Sequence, residues 1–259
     1  MAKLEEVLTV LRELAPEGTA LEGDPVGLLI EPPSTKGVRS IGVCLDASTQ
    51  AVARAVSLGV NLVVSHHPLI YHPLKRIRPE TDGVSASVVA LVKADIGLYA
   101  MHTNWDAAHG GINDTLARAL GLHSSLPLGP SGAHALPRIG NLHATQTLAD
   151  FCAFVSDALG CAGPSSLRVS EVDMGKTVGR VAVCGGAGAF LMGDVIKAGA
   201  DAFVTADVRH HEFVEAAALG FPLIDAGHGA TERPGMRELA LILPERLMGV
   251  DIHWLEDGE

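Results

Sequence analysis

Apolar positions along the chain fall into two spacings. Short unbroken runs recur at Leu28-Leu29-Ile30, Ser40–Leu45, Leu62-Val63-Val64, Ile96–Met101, Val178–Cys184, Asp201–Thr205, Pro222–Asp225 and Val250–Leu255. Runs that lack polar alternation read as strands buried on both faces, as in a parallel sheet. Between them the spacing changes to that of helices. Leu4, Val7, Leu8, Leu11 and Leu14 predict an amphipathic helix over 3–14, closed by Pro16 and Gly18. Ser48 is placed as the N-cap of a helix running to about Leu58, with Gly59 just beyond its end. Further helices are predicted over 83–94, 113–120, 147–159, 189–198, 209–219 and 231–247, the last bent or trimmed by Pro234-Gly235 and Pro244. Pro32-Pro33 closes the segment after Ile30, and the tail is acidic. Strands alternating with helices place the chain in the α/β class.

Residues 121–137 collect Gly, Pro and Ser and read as a linker. They divide the chain into two expected halves, 1–125 and 126–259. The halves resemble each other. At an offset of 140, Val43-Cys44 falls on Val183-Cys184, Gly59 on Gly199, Asn61 on Asp201, Val64 on Val204 and Ser65 on Thr205. At an offset of 126, His102-x-x-x-Asp106 falls on His228-x-x-x-Glu232. The expectation is an internally duplicated α/β unit. If the halves pack about a pseudo-twofold axis, both His-x-x-x-acid segments face one cleft.

Composition narrows the function classes. Aromatics make up only 4% of the 259 residues, so the core must be built from Ala, Val, Leu and Ile. Lys and Arg number 19 against 30 Asp and Glu, a net charge of −11, which argues against non-specific binding to nucleic acid or an anionic membrane. An anionic substrate is still compatible, because bound metal ions reverse the local field. The amino terminus has early acids and no long apolar stretch, and no run approaches the ~18 residues of a membrane span. Cys44, Cys152, Cys161 and Cys184 show no C-x-x-C spacing. A cytoplasmic protein with reduced thiols and no thiolate zinc site is expected.

Candidate chemistry concentrates where the apolar runs stop. Asn61–Ser65 leads straight into His66-His67-Pro68, and Pro68 ends the strand. The two imidazoles are ordinary strand-end residues or metal ligands; adjacent rings on an extended chain suit two neighbouring ions better than one. Asp106, His228 and Glu232 each follow another apolar run and complete an imidazole–carboxylate set suited to Zn, Mn, Fe, Co or Ni. Two ions about 3.5–4 Å apart with a bridging carboxylate form a common hydrolytic device, and Glu232 has the reach to bridge. His102 is a candidate for orienting a ligand or transferring a proton, with a ligand role left open. Asp207, His210 and His211 either approach the same cleft or lie on the surface. The stretch 68–77, with Lys75, Arg76 and nearby Arg78, is a solvated loop or an anion-steering lip. Gly185-Gly186-Ala187-Gly188 lacks the spacing of the nucleotide-binding motifs and reads as a tight strand–helix turn. No G-x-S-x-G elbow supports a serine nucleophile.

Three segments together carry a resemblance: Ser65-His66-His67-Pro68-Leu69, His102-Thr103-Asn104-Trp105-Asp106 and Asp225-Ala226-Gly227-His228-Gly229-Ala230-Thr231-Glu232. They resemble signatures of the GTP cyclohydrolase 1 type 2 homologue family, also called NGG-interacting-factor-like proteins. Asp24-Pro25-Val26-Gly27-Leu28 is similar to an early family segment, with Pro25 in place of the usual Asn, and Ala206 replaces a common Gly. The similarity covers nearly the whole chain in its short form, without an inserted domain. It implies two similar α/β halves, a di-metal site between them held by His66, His67, Asp106, His228 and Glu232, Glu232 bridging, and a ring-shaped homohexamer. The family name implies opening of the GTP imidazole ring by metal-activated water. The leading expectation is therefore a metal-dependent hydrolase of a nucleotide-like or other small anionic substrate. The alternative is a non-catalytic metal-binding or protein-interaction scaffold.

Overall fold

Leu62, Val63 and Val64 offer no side chain that prefers water, and all three are fully buried. The computed structural model describes residues 1–32 and 37–256; Pro33 and the acidic tail from Asp257 lie outside the described residues. In chain order the elements begin with α1 (Leu4–Leu14), β1 (Gly27–Ile30), β2 (Ser40–Cys44), α2 (Thr49–Leu58), β3 (Leu62–Ser65), α3 (Gly83–Lys93), β4 (Gly97–Ala100) and α4 (Thr103–Ala107). There follow α5 (Ile112–Ala119), β5 (His123–Pro127), β6 (Arg138–Thr147), α6 (Leu148–Ala158), β7 (Arg168–Val169) and β8 (Thr177–Val183). The chain continues with α7 (Met192–Lys197), β9 (Ala202–Thr205), α8 (His210–Ala218), β10 (Leu223–Asp225), α9 (His228–Arg246) and β11 (Asp251–Trp254).

Two compact units result. One takes Met1–Ala108 together with the residues from Met236 onward, and the other takes His109–Gly235. The expected halves are cut once in the chain; the compact units are cut twice.

The first unit is built on a five-stranded sheet of order β1-β4-β3-β2-β11, so β3 is central. β11, β2, β3 and β4 run parallel, and β1 pairs antiparallel with β4. Every residue of β2, β3 and β4 is buried. Val52 and Ala55 of α2 and Val88 and Leu91 of α3 pack with Val63 and Leu98 of the sheet. Full burial of a valine or leucine contributes roughly 1.5–3 kcal/mol, so aliphatic side chains suffice here without aromatics. Ser48 caps α2 by accepting from Ala51 N at 3.2 Å, and Gly59 ends it at φ +65, a conformation that side chains with a Cβ rarely adopt.

The second unit has a six-stranded sheet of order β5-β6-β8-β9-β10-β7. β8, β9 and β10 are parallel; β7, β6 and β5 join antiparallel. Leu116, Phe151, Val155, Val181, Val204 and Ile224 lie in its core. The order β7-β10-β9-β8 repeats the order β1-β4-β3-β2 of the first unit. Val43 pairs with Val64 as Val183 pairs with Val204, at the offset of 140. Tyr99 and Ile224 are equivalent at 125. One additional residue before His228, where Gly227 takes φ +87, restores the offset of 126.

Several expectations are corrected. The presumed linker contains β5, and β6 and β7 have no apolar run to announce them; β5 is largely exposed and β6 is buried only at its start. Their pairing with a neighbour, rather than side-chain burial, makes them strands. β11 joins β2 of the first unit although it is last in the chain. α9 starts at His228, three residues earlier than predicted, and continues through Pro234 and Pro244.

Candidate metal centre

Parallel pairing sets a row of side chains just past the carboxyl ends of β2, β3 and β4, where open α/β sheets place ligands. Cys44 pairs with Ser65 and Ser65 with Ala100. Two residues further on, Asp46, His67 and His102 come level. The His67 Nδ1–H donates to Asp46 Oδ1 at 2.8 Å, and the His102 Nδ1–H donates to Asp24 Oδ1 at 2.7 Å. One residue before His67, the fully buried His66 donates from Nδ1 to the Met101 carbonyl at 2.8 Å. An oxygen acceptor at Nδ1 fixes the proton there, so each neutral ring carries its lone pair on Nε2. This is how metal-binding histidines are held.

The three rings are close. Centroids of His66 and His67 lie 4.9 Å apart, His66 and His102 5.1 Å, and His67 and His102 5.7 Å. They offer ring nitrogens all within 4.8 Å of one another, a grouping that could hold a metal ion. α4 adds a carboxylate. Asp106 N donates to His102 O, closing one helical turn, and Asp106 Oδ1 then lies 3.6 Å from His66 Nε2. Burial alone would raise the Asp24 carboxyl, but hydrogen bonds from His102 and Thr103 outweigh it and hold Asp24 below its usual value.

The second unit repeats the device. His228 opens α9, and its Nδ1–H donates to Asp207 Oδ2 at 2.7 Å. Asp207 takes a left-handed φ of +52, which turns the chain after β9. One helical turn on, Glu232 is only 3% exposed, and its Oε2 lies 3.1 Å from His228 Nε2. The glycine turn is shaped around this carboxylate. A Cβ on Gly186 would collide with Glu232 Oε1 and press to 3.4 Å from His228 Cε1. Gly185 N donates to Asn113 Oδ1, Gly186 N to Thr231 Oγ1 and Gly188 N to Thr205 Oγ1. These amides are engaged by protein, so the turn is a cradle for Glu232 rather than a phosphate loop.

A lone-pair nitrogen and a carboxylate oxygen repel at 3.1 Å unless a cation or proton lies between them, and burial sharpens the cost. The donor set therefore fits divalent metal ions on physical grounds. His66, His67, His102 and Asp106 come together in the first unit, and His228, Glu232 and Asp207 in the second. His210 and His211 are exposed on the first turn of α8, where Glu212 accepts from Arg209 N. His123 and His143 stack at 4.8 Å, His134 bonds Asp194, and His109 lies by Asp114. Lys75, Arg76 and Arg78 are exposed, and the Tyr71 ring lies 6.5 Å from His102. Asp24 and Asp46 escaped the sequence reading as imidazole partners. Counting Asp46 in register beyond β2 would have found it; Asp24 was marked only by the family-like segment Asp24-Pro25-Val26-Gly27-Leu28, which assigns it no partner.

Residues 2–257 match the family described as Duf34/NIF3 (NGG1p interacting factor 3). The protein belongs to this family. A Nostoc relative named GTP cyclohydrolase 1 type 2 homolog is 33% identical over 98% of this chain and 94% of its own length. A relative of the same name from Streptomyces coelicolor is 38% identical over 90% of this chain and 83% of its own. The solved structure of a Bacillus cereus protein related to NIF3 superposes with a TM-score of 0.91 at 25% identity, covering 99% of this chain and 97% of that one. The mixed α/β fold of two sheets is thus that of the Duf34/NIF3 family. No helix among its described residues is long and apolar enough to cross a membrane.

Proposed function

We infer that this Duf34/NIF3 protein holds two divalent metal ions per chain, of the Zn, Mn, Fe, Co or Ni class, and hydrolyses a nucleotide-like or other small anionic substrate. His66, His67, Asp106, His228 and Glu232 would be the ligands, with Glu232 bridging. The two His-x-x-x-acid turns, one in each half, would both supply ligands, as expected of a duplicated unit. One observation carries the reading: at His66, His67 and His228, Nδ1 is bonded to an oxygen, which puts the lone pair of each neutral ring on Nε2. The buried carboxylates Asp106 and Glu232 support it. Divalent ions would supply Lewis-acid activation of water. His102, held by Asp24, would hold or move a proton beside the substrate. The family resemblance adds a homohexamer to this reading, and the cysteine pattern adds a cytoplasmic setting.

Three imidazoles gathered in one unit, with the Asp106 carboxylate beside His66, also favour a second reading. Four such donors can fill an ion's coordination sphere and leave no position for substrate, as in a non-catalytic metal-binding scaffold. The first experiment is elemental analysis of the natively purified protein beside Glu232→Gln. About two transition-metal ions per chain, dropping in the variant, is the expected result. No metal after reconstitution with Zn, Mn, Fe and Co would overturn the site. An intact metal content with no turnover of nucleotides or phosphoesters would leave the scaffold reading.

A further inference from the structure

β11 ends at Trp254, but its partnership with β2 continues for two residues. Leu255 N donates to the Val43 carbonyl at 2.9 Å, as in any parallel pair. The Leu255 side chain is 2% exposed and lies over Gly42, where an added Cβ would collide with it. Glu256 pairs through its side chain instead. Its Oε1 accepts from Leu45 N at 2.5 Å and from Asp46 N at 3.3 Å, partners 211 and 210 positions away in the chain. On the opposite edge of the same stretch, His66 N donates to the Cys44 carbonyl and His67 N to the Leu45 carbonyl. Leu45 is thereby gripped from both sides, by the His67 amide and by the Glu256 carboxylate.

Asp46 is the residue that gains. Its Oδ1 accepts the His67 Nδ1–H at 2.8 Å, yet its side chain is 60% exposed. Burial does not hold such a carboxylate in place, and ordering it costs side-chain entropy. Its aim is set by the backbone that carries it, and β11, the neighbouring strand on that side, has already ended. Hydrogen bonds to an ionised acceptor are roughly twice as strong as neutral ones, so one glutamate oxygen can hold both amides where the strand no longer does. We propose that Glu256 is a positioning residue for the metal centre. By holding the Leu45 and Asp46 amides it aims Asp46 Oδ1 at His67 Nδ1, which keeps the His67 lone pair on Nε2. That an ion receives this lone pair rests on the metal-binding reading above; the chain of contacts from Glu256 through Asp46 to His67 does not.

The test uses the full chain at about pH 8, above the ordinary imidazole value of ~6.5. Proton–nitrogen NMR of the histidine rings in the metal-free protein shows which nitrogen carries the proton, and competition with a chelating dye gives the zinc affinity. In the wild type the His67 proton is expected on Nδ1. In Glu256→Ala, His67 should become a mixture of tautomers and zinc affinity should fall about tenfold. His102, whose Nδ1–H is held by Asp24, should keep its tautomer. Glu256→Gln retains an acceptor of the same reach and should recover most of both properties. An unchanged His67 ring in Glu256→Ala, or an equal change at His102, overturns the proposal, the second because general loosening would produce it. Where Glu256→Ala folds poorly, Glu256→Asp decides: it keeps the charge, falls one methylene short of the amides, and must shift the His67 tautomer in the same direction. A wild-type protein that takes up no zinc overturns the metal-binding reading alone, because the metal-free spectra decide the contact chain by themselves.

Discussion

Replacing Gly186 by Ala asks how tightly the protein positions its buried carboxylate. Gly186 sits at φ +62, and an added Cβ is driven into Glu232 Oε1. Two costs separate cleanly. The left-handed backbone costs an alanine about 1–2 kcal/mol, which lowers Tm by about 2–8 °C in a chain of this size. The collision requires Glu232 to retreat by about 1 Å to reach ordinary contact. Metal–ligand distances tolerate only about 0.2 Å. Gly220→Ala is the control, since Gly220 has the same φ of +62 and nothing within 4 Å of an added Cβ. Thermal unfolding and elemental analysis of both variants are the assay. Both should lose similar stability, and Gly186→Ala alone should lose about half or more of its metal. Wild-type metal content in Gly186→Ala would refute the cradle, and equal metal loss in Gly220→Ala would show that strain alone is responsible.

Other outcomes follow from the same geometry. Asp207→Asn removes the charge that holds the His228 proton on Nδ1 and should weaken metal binding by about 10–100-fold in competition with a chelating dye. Unchanged affinity would mean that Asp207 does not orient His228. Ser48→Ala deletes the cap of α2 and should cost about 1 kcal/mol, lowering Tm by about 2–4 °C without altering metal content. Burial pushes the Cys152 thiol from its usual 9.0 to about 11. Native protein at pH 8 should leave it unmodified by a thiol reagent that labels it after unfolding. Because the folded value is raised, this thiol's contribution to stability is complete below pH 9 and is lost as pH rises toward 11. Denaturant melts across that window check the sign.

Much of the molecule was legible in local pattern. Val63 and Val64 are buried whatever their neighbours, because no face of such a run tolerates water, and β2, β3, β4, β8, β9 and β10 all lie on or within predicted runs. Ser48 and Gly59 mark the ends of α2 through hydrogen bonding and φ preference, both local properties. The histidines of the candidate site were singled out because they follow such runs, and the acids because each stands four residues after one of them. Strands held by pairing alone were illegible. β5 and β6 carry exposed polar residues, and β11 finds β2 across some two hundred residues, a choice no window of sequence contains. The imidazole partners were likewise settled in three dimensions. Asp46 meets His67 because Cys44 pairs with Ser65, and Asp24 meets His102 across 78 positions of chain. By itself the sequence determined which residues had the chemistry to bind metal, since side-chain type and strand ends are written locally. Only the tertiary structure decided which nitrogen of each ring carries the lone pair, because a tautomer is chosen by whichever oxygen the fold brings to Nδ1.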